Sequence, residues 1–169
     1  MKRLLCLIGI VGLFFLLAAC AAQPKTIQPS GAAAGQEQPA QEALPGFLGA
    51  LYEGRYEEAA GLYGGSYEVL QGYNPAIDPQ DKPALLEAAC TVNGFLCLKA
   101  KSIELADQPS QTEFVYTVQF ANADGSLFIL GPCCGADETS MPPVSDFTFT
   151  VTLQEDGTFS VMDLPPYTP

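Results

Sequence analysis

Cysteine is the residue type in this chain with the most specific chemistry. The 169 residues include six cysteines and no histidine, so the commonest general base and the commonest metal ligand are both missing. No serine occupies a nucleophile elbow, and no glycine-rich loop precedes a lysine in the manner of a phosphate-binding motif. The sequence therefore predicts no catalytic residue, no metal site and no cofactor, and it leaves the thiols as the main candidates for chemistry.

The first cysteine of interest follows a segment that is typical of exported proteins. Two basic residues precede an uncharged apolar run at 4–22, which is the pattern of a signal peptide. The run contains Leu17, Ala18, Ala19 and Cys20 in succession, which resembles the lipobox of bacterial prolipoproteins. That resemblance implies removal of residues 1–19 and a lipid thioether on Cys20. An uncleaved membrane helix over 4–22 is the competing interpretation.

Either interpretation places the rest of the chain outside the cytoplasm. With acyl chains on Cys20, the expected location is the outer face of the bacterial cytoplasmic membrane, or the outer membrane, and the lipid bilayer is the first expected partner. All 19 acidic residues follow Cys20, whereas two of the seven basic residues precede it, so the mature chain has a formal charge of −14. Such a surface repels phosphate backbones, which argues against nucleic acid as a partner.

Four cysteines remain once Cys6 leaves with the signal peptide and Cys20 is lipidated. An even number in an exported domain indicates disulfides. Hairpin registers estimated from the predicted turns place Cys133 opposite Tyr116 and Cys97 opposite Ala121. Cys97 and Cys133 are then about 16 Å apart along the sheet, whereas a disulfide needs alpha carbons within about 7 Å. We therefore expect Cys90 to pair with Cys97, which leaves Cys133 and Cys134 as neighbours.

Three interpretations of the Cys133 and Cys134 pair compete. The first is a structural disulfide, which would be strained because adjacent alpha carbons are only about 3.8 Å apart. The second is a rigid corner that lines a ligand pocket. The third is a reduced pair that binds a soft metal such as Cu(I), with Met141 as the nearest further ligand.

The elements that must position these cysteines follow from hydrophobic periodicity. Residues 20–43 are mainly Ala, Gln, Pro and Gly, which predicts a disordered tether. Residues 44–169 suffice for a single domain. Apolar residues recur at helical spacing between Leu44 and Tyr63, and a further helix is expected from near Asp78 or Asp81 to about Cys90. Alternating residues predict strands near 95–107, 112–122, 126–131, 146–154 and 158–164.

Helices followed by an antiparallel meander indicate an α+β fold. The stretch from Ala50 to Tyr63 (ALYEGRYEEAAGLY), followed by a short helix and then strands, resembles the exported members of the nuclear-transport-factor-2-like, or cystatin-like, superfamily. The resemblance implies N-terminal helices packed on a curved antiparallel sheet of about four to six strands, in a cone-like shape. A tetratricopeptide unit is the rival interpretation of this stretch, although such solenoids need several stacked copies.

The expected function is a membrane-tethered, non-catalytic domain that binds a small ligand or a protein in the concavity of its sheet. The main alternative is an enzyme that uses a buried carboxylate in that concavity, where a displaced pKa would mark the site. Soft-metal handling through Cys133 and Cys134 is a further alternative. The resemblance supplies no catalytic residue, because no position of this sequence matches one.

Overall fold

The computed structural model describes residues 37–168. The predicted signal peptide, Cys20 and most of the predicted tether lie outside these residues. Four helices precede four strands, so the prediction of an α+β chain is confirmed. None of the helices within 37–168 is long and apolar enough to cross a membrane. In chain order the elements are α1 (Glu37–Tyr52), α2 (Tyr56–Leu62), α3 (Glu68–Tyr73), α4 (Lys82–Thr91), β1 (Lys99–Asp107), β2 (Glu113–Ala121), β3 (Phe147–Leu153) and β4 (Phe159–Val161).

Helix α1 begins before the predicted domain boundary at Leu44. Its first turns lie in the segment expected to be a tether, and Ala40 is fully buried there together with Leu44 and Phe47. These residues are spaced three or four apart, so they face the core from one side of the helix. Alanine gives a weak hydrophobic signal, so the sequence pattern does not mark the first turns of this helix.

The ends of two helices are fixed by local chemistry. After α1, Gly54 adopts a φ of 74°, its amide donates to the carbonyl of Leu51 at 3.2 Å, and the amide of Arg55 donates to the carbonyl of Ala50 at 2.8 Å. This pair of bonds is a Schellman motif. At α4, the Asp81 side chain accepts a hydrogen bond from the amide of Ala84 at 3.1 Å, as expected for a helix cap.

The sheet has the order β1, β2, β3, β4, and each neighbouring pair is antiparallel. Helix α1 packs against β1, β3 and β4, which covers one face of the sheet. Strand β2 shows the expected alternation, with every second residue buried. The largest fully buried side chains of the sheet on this face are Phe114, Val118, Phe120, Phe149, Val151 and Val161.

The predicted strand at 126–131 is not one of the four strands. Only isolated bridges form there, between Ala121 and Leu127 and between Leu130 and Val144. Strand β3 takes the place beside β2, so Tyr116 lies opposite Phe149 and not opposite Cys133. On the other side of β2, Ala121 pairs with Lys99, two residues from the predicted partner Cys97. The register estimates were therefore inexact.

The two edges of the sheet differ. The outer side of β4 is covered, because Tyr63 forms a parallel bridge with Val161 and the amide of Gly64 donates to the carbonyl of Val161 at 2.9 Å. Strand β1 pairs only with β2 among residues 37–168. The outer edge of β1 is therefore open.

Candidate functional site

A groove separates α1 from the first half of β1. Its volume is about 480 Å³, within the range of small-molecule and peptide sites. A second hollow of similar volume shares Tyr52, Lys99, Ala100 and Lys101 with it and extends to the turn at 122–125. We call the two hollows together the β1 groove. Helix α1 contributes Pro45, Leu48, Gly49 and Tyr52, the turn after it contributes Glu53, and β1 contributes residues 99–103.

The β1 groove combines an apolar wall with positive charge. Leu48 and Tyr52 come from α1, and the Tyr52 side chain is 53% exposed. Lys99 and Lys101 come from β1, and both are exposed. The Lys101 ammonium donates to the carbonyl of Gly125 at 2.9 Å, which holds its charge beside the second hollow.

This positive charge stands out because the described residues contain only two other basic side chains. Arg55 forms ion pairs with Glu53 and Glu58. The Lys82 ammonium lies 5.4 Å from the centre of the Tyr67 ring, a cation–π distance. Within 37–168, Lys99 and Lys101 are therefore the only basic residues grouped on one strand.

The lysines also have a simpler role in the fold. Open strand edges commonly bear lysines and bulges, because these features hinder edge-to-edge aggregation. Strand β1 has register shifts between Ala100 and Ser102 and between Leu105 and Asp107. Its edge is thus protected against indiscriminate pairing. A ligand for this edge must then supply complementary charge.

Two of the four predicted disulfide cysteines are joined. The structure contains the expected Cys90–Cys97 disulfide, with alpha carbons 5.5 Å apart. It links the C-terminal end of α4 to the segment that leads into β1, and both cysteines pack against the core. The disulfide therefore holds the backbone that leads into Lys99, the first β1 residue of the groove.

Cys133 and Cys134 are unbonded thiols, so the predicted disulfide involving them is not present. Their Sγ atoms lie 3.0 Å apart, and Cys134 is exposed. Neither residue lines the β1 groove, so they do not form a corner of that pocket. No group of three or more potential Cys, Asp or Glu metal ligands occurs within 37–168. The soft-metal interpretation gains no support from this arrangement.

The carboxylates show no sign of acid–base catalysis. No Asp or Glu is buried among the described side chains, where Ser160 is the one buried polar residue besides the tyrosines. Hydrogen bonds from Ser126 lower the pKa of Asp124, and hydrogen bonds from Thr158 lower the pKa of Asp156. These shifts favour the ionised form, whereas a general acid at neutral pH needs a raised pKa.

The residues of the β1 groove are not among the site residues predicted from the sequence. The available signal was Lys99 and Lys101, two basic residues on a strand in a chain with a large acidic excess. Their significance depends on the open edge of β1 lying beside a groove, which two lysines alone do not indicate. No family model matches the chain, and no curated protein or solved structure shows significant similarity to it.

Proposed function

We propose that this chain is an extracytoplasmic lipoprotein, anchored through Cys20, whose domain binds an extended acidic segment of a partner protein along β1. The export pattern and the lipobox resemblance support the anchor. The Cys90–Cys97 disulfide suits an oxidising compartment. The open edge of β1 beside the β1 groove is the observation that carries the binding proposal.

An added strand would use three features that lie along the outer edge of β1 and on the facing side of α1. The free backbone edge offers hydrogen bonds to an extended segment, which is the basis of binding by strand addition. The wall of Leu48 and Tyr52 offers a place for an apolar side chain of that segment. Lys99 and Lys101 attract its carboxylates, and like-charged segments are rejected. An acidic, partly apolar segment is therefore the best-matched occupant.

The alternatives fit less well. An enzyme that uses a buried carboxylate is disfavoured because every described carboxylate is at least partly exposed. A small ligand would use the groove but not the backbone edge.

We also propose that the helices and sheet adopt the cone-like arrangement of the cystatin-like superfamily, on the basis of the element order and of α1 packing across one face of the sheet.

Site-specific photo-crosslinking in the producing cells tests the binding proposal. A photoreactive amino acid replaces Lys101 in the groove or, as a control, Val92, which is 76% exposed outside it. We expect a protein adduct from position 101 alone, mapped by mass spectrometry to an acidic segment of the partner. Lys99→Glu in the same chain is expected to reduce the adduct about fivefold, the effect of about 1 kcal/mol.

Three results would contradict this proposal. They are equal adducts from positions 101 and 92, an adduct that Lys99→Glu leaves unchanged, and an adduct with a second copy of this chain or with a small molecule. The last would keep the groove as a site but replace its occupant.

A further inference from the structure

Cys133 and Cys134 are neighbouring thiols that neither the core nor the β1 groove explains. They lie in the long connection between β2 and β3, and neither belongs to the buried cluster. Cys133 is half-buried and Cys134 is exposed. Both sulfurs are therefore close to solvent, and they lie within 3.0 Å of each other.

The backbone around the pair is held in an unusual conformation. The amide of Ala136 donates to the carbonyl of Cys133 at 3.0 Å, which closes a four-residue turn. The central residues, Cys134 and Gly135, have φ values of 59° and 86°, the pattern of a type I′ turn. Cys134 is the one non-glycine residue with positive φ in the described part of the chain. Such outliers cluster at functional sites, and this turn places the two sulfurs side by side.

A disulfide between these residues would be a poor structural crosslink. A bond between adjacent residues encloses no intervening residue, so it barely restricts the unfolded chain. It would also be strained, because adjacent alpha carbons are about 3.8 Å apart and the usual span begins at about 4.4 Å. Strained, exposed disulfides are the readily reduced ones. Cys90 and Cys97, with alpha carbons 5.5 Å apart, lie within the usual span.

We propose that Cys133 and Cys134 form a redox-active dithiol that undergoes exchange with low-molecular-weight or protein disulfides. One cysteine thiolate attacks a sulfur of the incoming disulfide, which gives a mixed disulfide and releases one thiolate. The other cysteine then attacks the Sγ of the first cysteine in this mixed disulfide. The vicinal disulfide closes, and the second half of the incoming molecule leaves as a thiolate. The two cysteine protons pass to the two released thiolates, and two electrons pass from the protein to the incoming disulfide.

Three aromatic rings form a cluster that includes the exposed Tyr73 and Tyr167. The rings of Tyr73 and Tyr167 stack with centres 5.9 Å apart, and Phe95 lies 5.3 Å from Tyr167. The pKa of Tyr167 is raised, first by hydrogen bonding with Tyr73 and by burial, and in smaller part by charge on Cys134 and Cys133. The thiols therefore lie within electrostatic reach of Tyr167.

Equilibration of the full-length chain in detergent with glutathione buffers tests the proposal. After an acid quench, free thiols are alkylated and the fragment that contains residues 131–141 is weighed. As the oxidised fraction of glutathione rises, the doubly alkylated fragment is expected to give way to an unalkylated fragment that is lighter by two hydrogens. The vicinal bond is expected to open at a reductant concentration roughly tenfold or more below that needed for Cys90–Cys97.

Cys133→Ser and Cys134→Ser are the matched controls, since each keeps one thiol in the same exposed turn. Each variant is expected to stop at the mixed disulfide with glutathione, with an unchanged circular dichroism spectrum. The proposal is overturned if the wild-type pair also stops at the mixed disulfide or remains a dithiol under oxidising buffers. It is equally overturned if the vicinal bond survives reductant that opens Cys90–Cys97.

Discussion

Tyr63 and Tyr67 connect the segment after α2 to the core through their rings. The Tyr63 ring stacks on Phe47 with centres 5.6 Å apart and meets Tyr67 edge-on at 5.0 Å. Burial raises the pKa of Tyr67 to about 12, and burial also raises the pKa of Tyr63, with smaller contributions from the charges of Tyr67 and Asp163. The Tyr67 hydroxyl has no hydrogen-bond partner among the described residues.

These tyrosines should make the fold sensitive to alkali. A phenol with a raised pKa in the folded state stabilises the fold below its ordinary pKa of 10, and that stabilisation is lost as the pH rises toward the folded value. We expect the free energy of unfolding to fall by about 1–2 kcal/mol between pH 9 and pH 11. Urea denaturation at each pH measures it.

Tyr67→Phe removes one of the two phenols and should reduce the fall in the free energy of unfolding at alkaline pH. At neutral pH the variant should be as stable as the wild type or more stable, because a buried hydroxyl without a partner is costly. Tyr52→Phe, on the exposed wall of the β1 groove, is the control and should retain the full loss. An alkaline loss that Tyr67→Phe does not change would contradict this assignment.

Single residues differ in how far the sequence predicts their role. Cys90 and Cys97 were predicted to pair because the estimated hairpin registers place Cys97 too far from Cys133 for a disulfide. The closeness of the Cys133 and Cys134 sulfurs depends on the positive φ of Cys134. Residue types alone do not determine that angle. The glycines at 131 and 135 indicate only that a turn is allowed there.

Among the elements, the Cys90–Cys97 disulfide joins the helical part to the sheet. Removing it with Cys90→Ser and Cys97→Ser together should lower the free energy of unfolding by about 2–3 kcal/mol, because the unfolded chain regains the freedom of a short loop. Urea denaturation of the oxidised proteins gives the comparison.

The matched control replaces the other two cysteines. Cys133→Ser with Cys134→Ser should change the free energy of unfolding by less than about 0.5 kcal/mol, since the thiols are unbonded and near the surface. Equal losses in the two double variants would mean that the second pair also stabilises the fold, contrary to its exposed position.

Elements with strong periodicity were predicted well and the connection after β2 was not. Strand β2 alternates between half-buried and buried residues over nine positions, as its alternating sequence predicts. The sequence of the segment near 126–131 is also typical of a strand, but whether it pairs along β2 depends on which other segment can pair there. Strand β3 pairs with β2 at six positions instead. Competition between distant segments is invisible to a local pattern.

We propose that the whole molecule is anchored to the membrane through lipid on Cys20, and its intact mass tests this anchor. The wild-type chain recovered from membranes should have the mass of residues 20–169 plus diacylglyceryl and acyl groups. Cys20→Ser should lack the lipid and retain residues 1–19, because the modification precedes cleavage in the resembled pathway. A wild-type mass equal to the unmodified 169-residue chain would instead support an uncleaved membrane helix.

The bridge between Tyr63 and Val161, described above as the cover of the β4 edge, also bears on when the domain can fold. It joins segments that are almost 100 residues apart, and α1 itself packs against β4. The first helix thus has no complete packing surface until the last strand has been synthesised. In the proposed export of this chain as an extended polypeptide, such a delay would keep the domain unfolded while its leading segment engages the export machinery, and folding would follow once β4 has crossed.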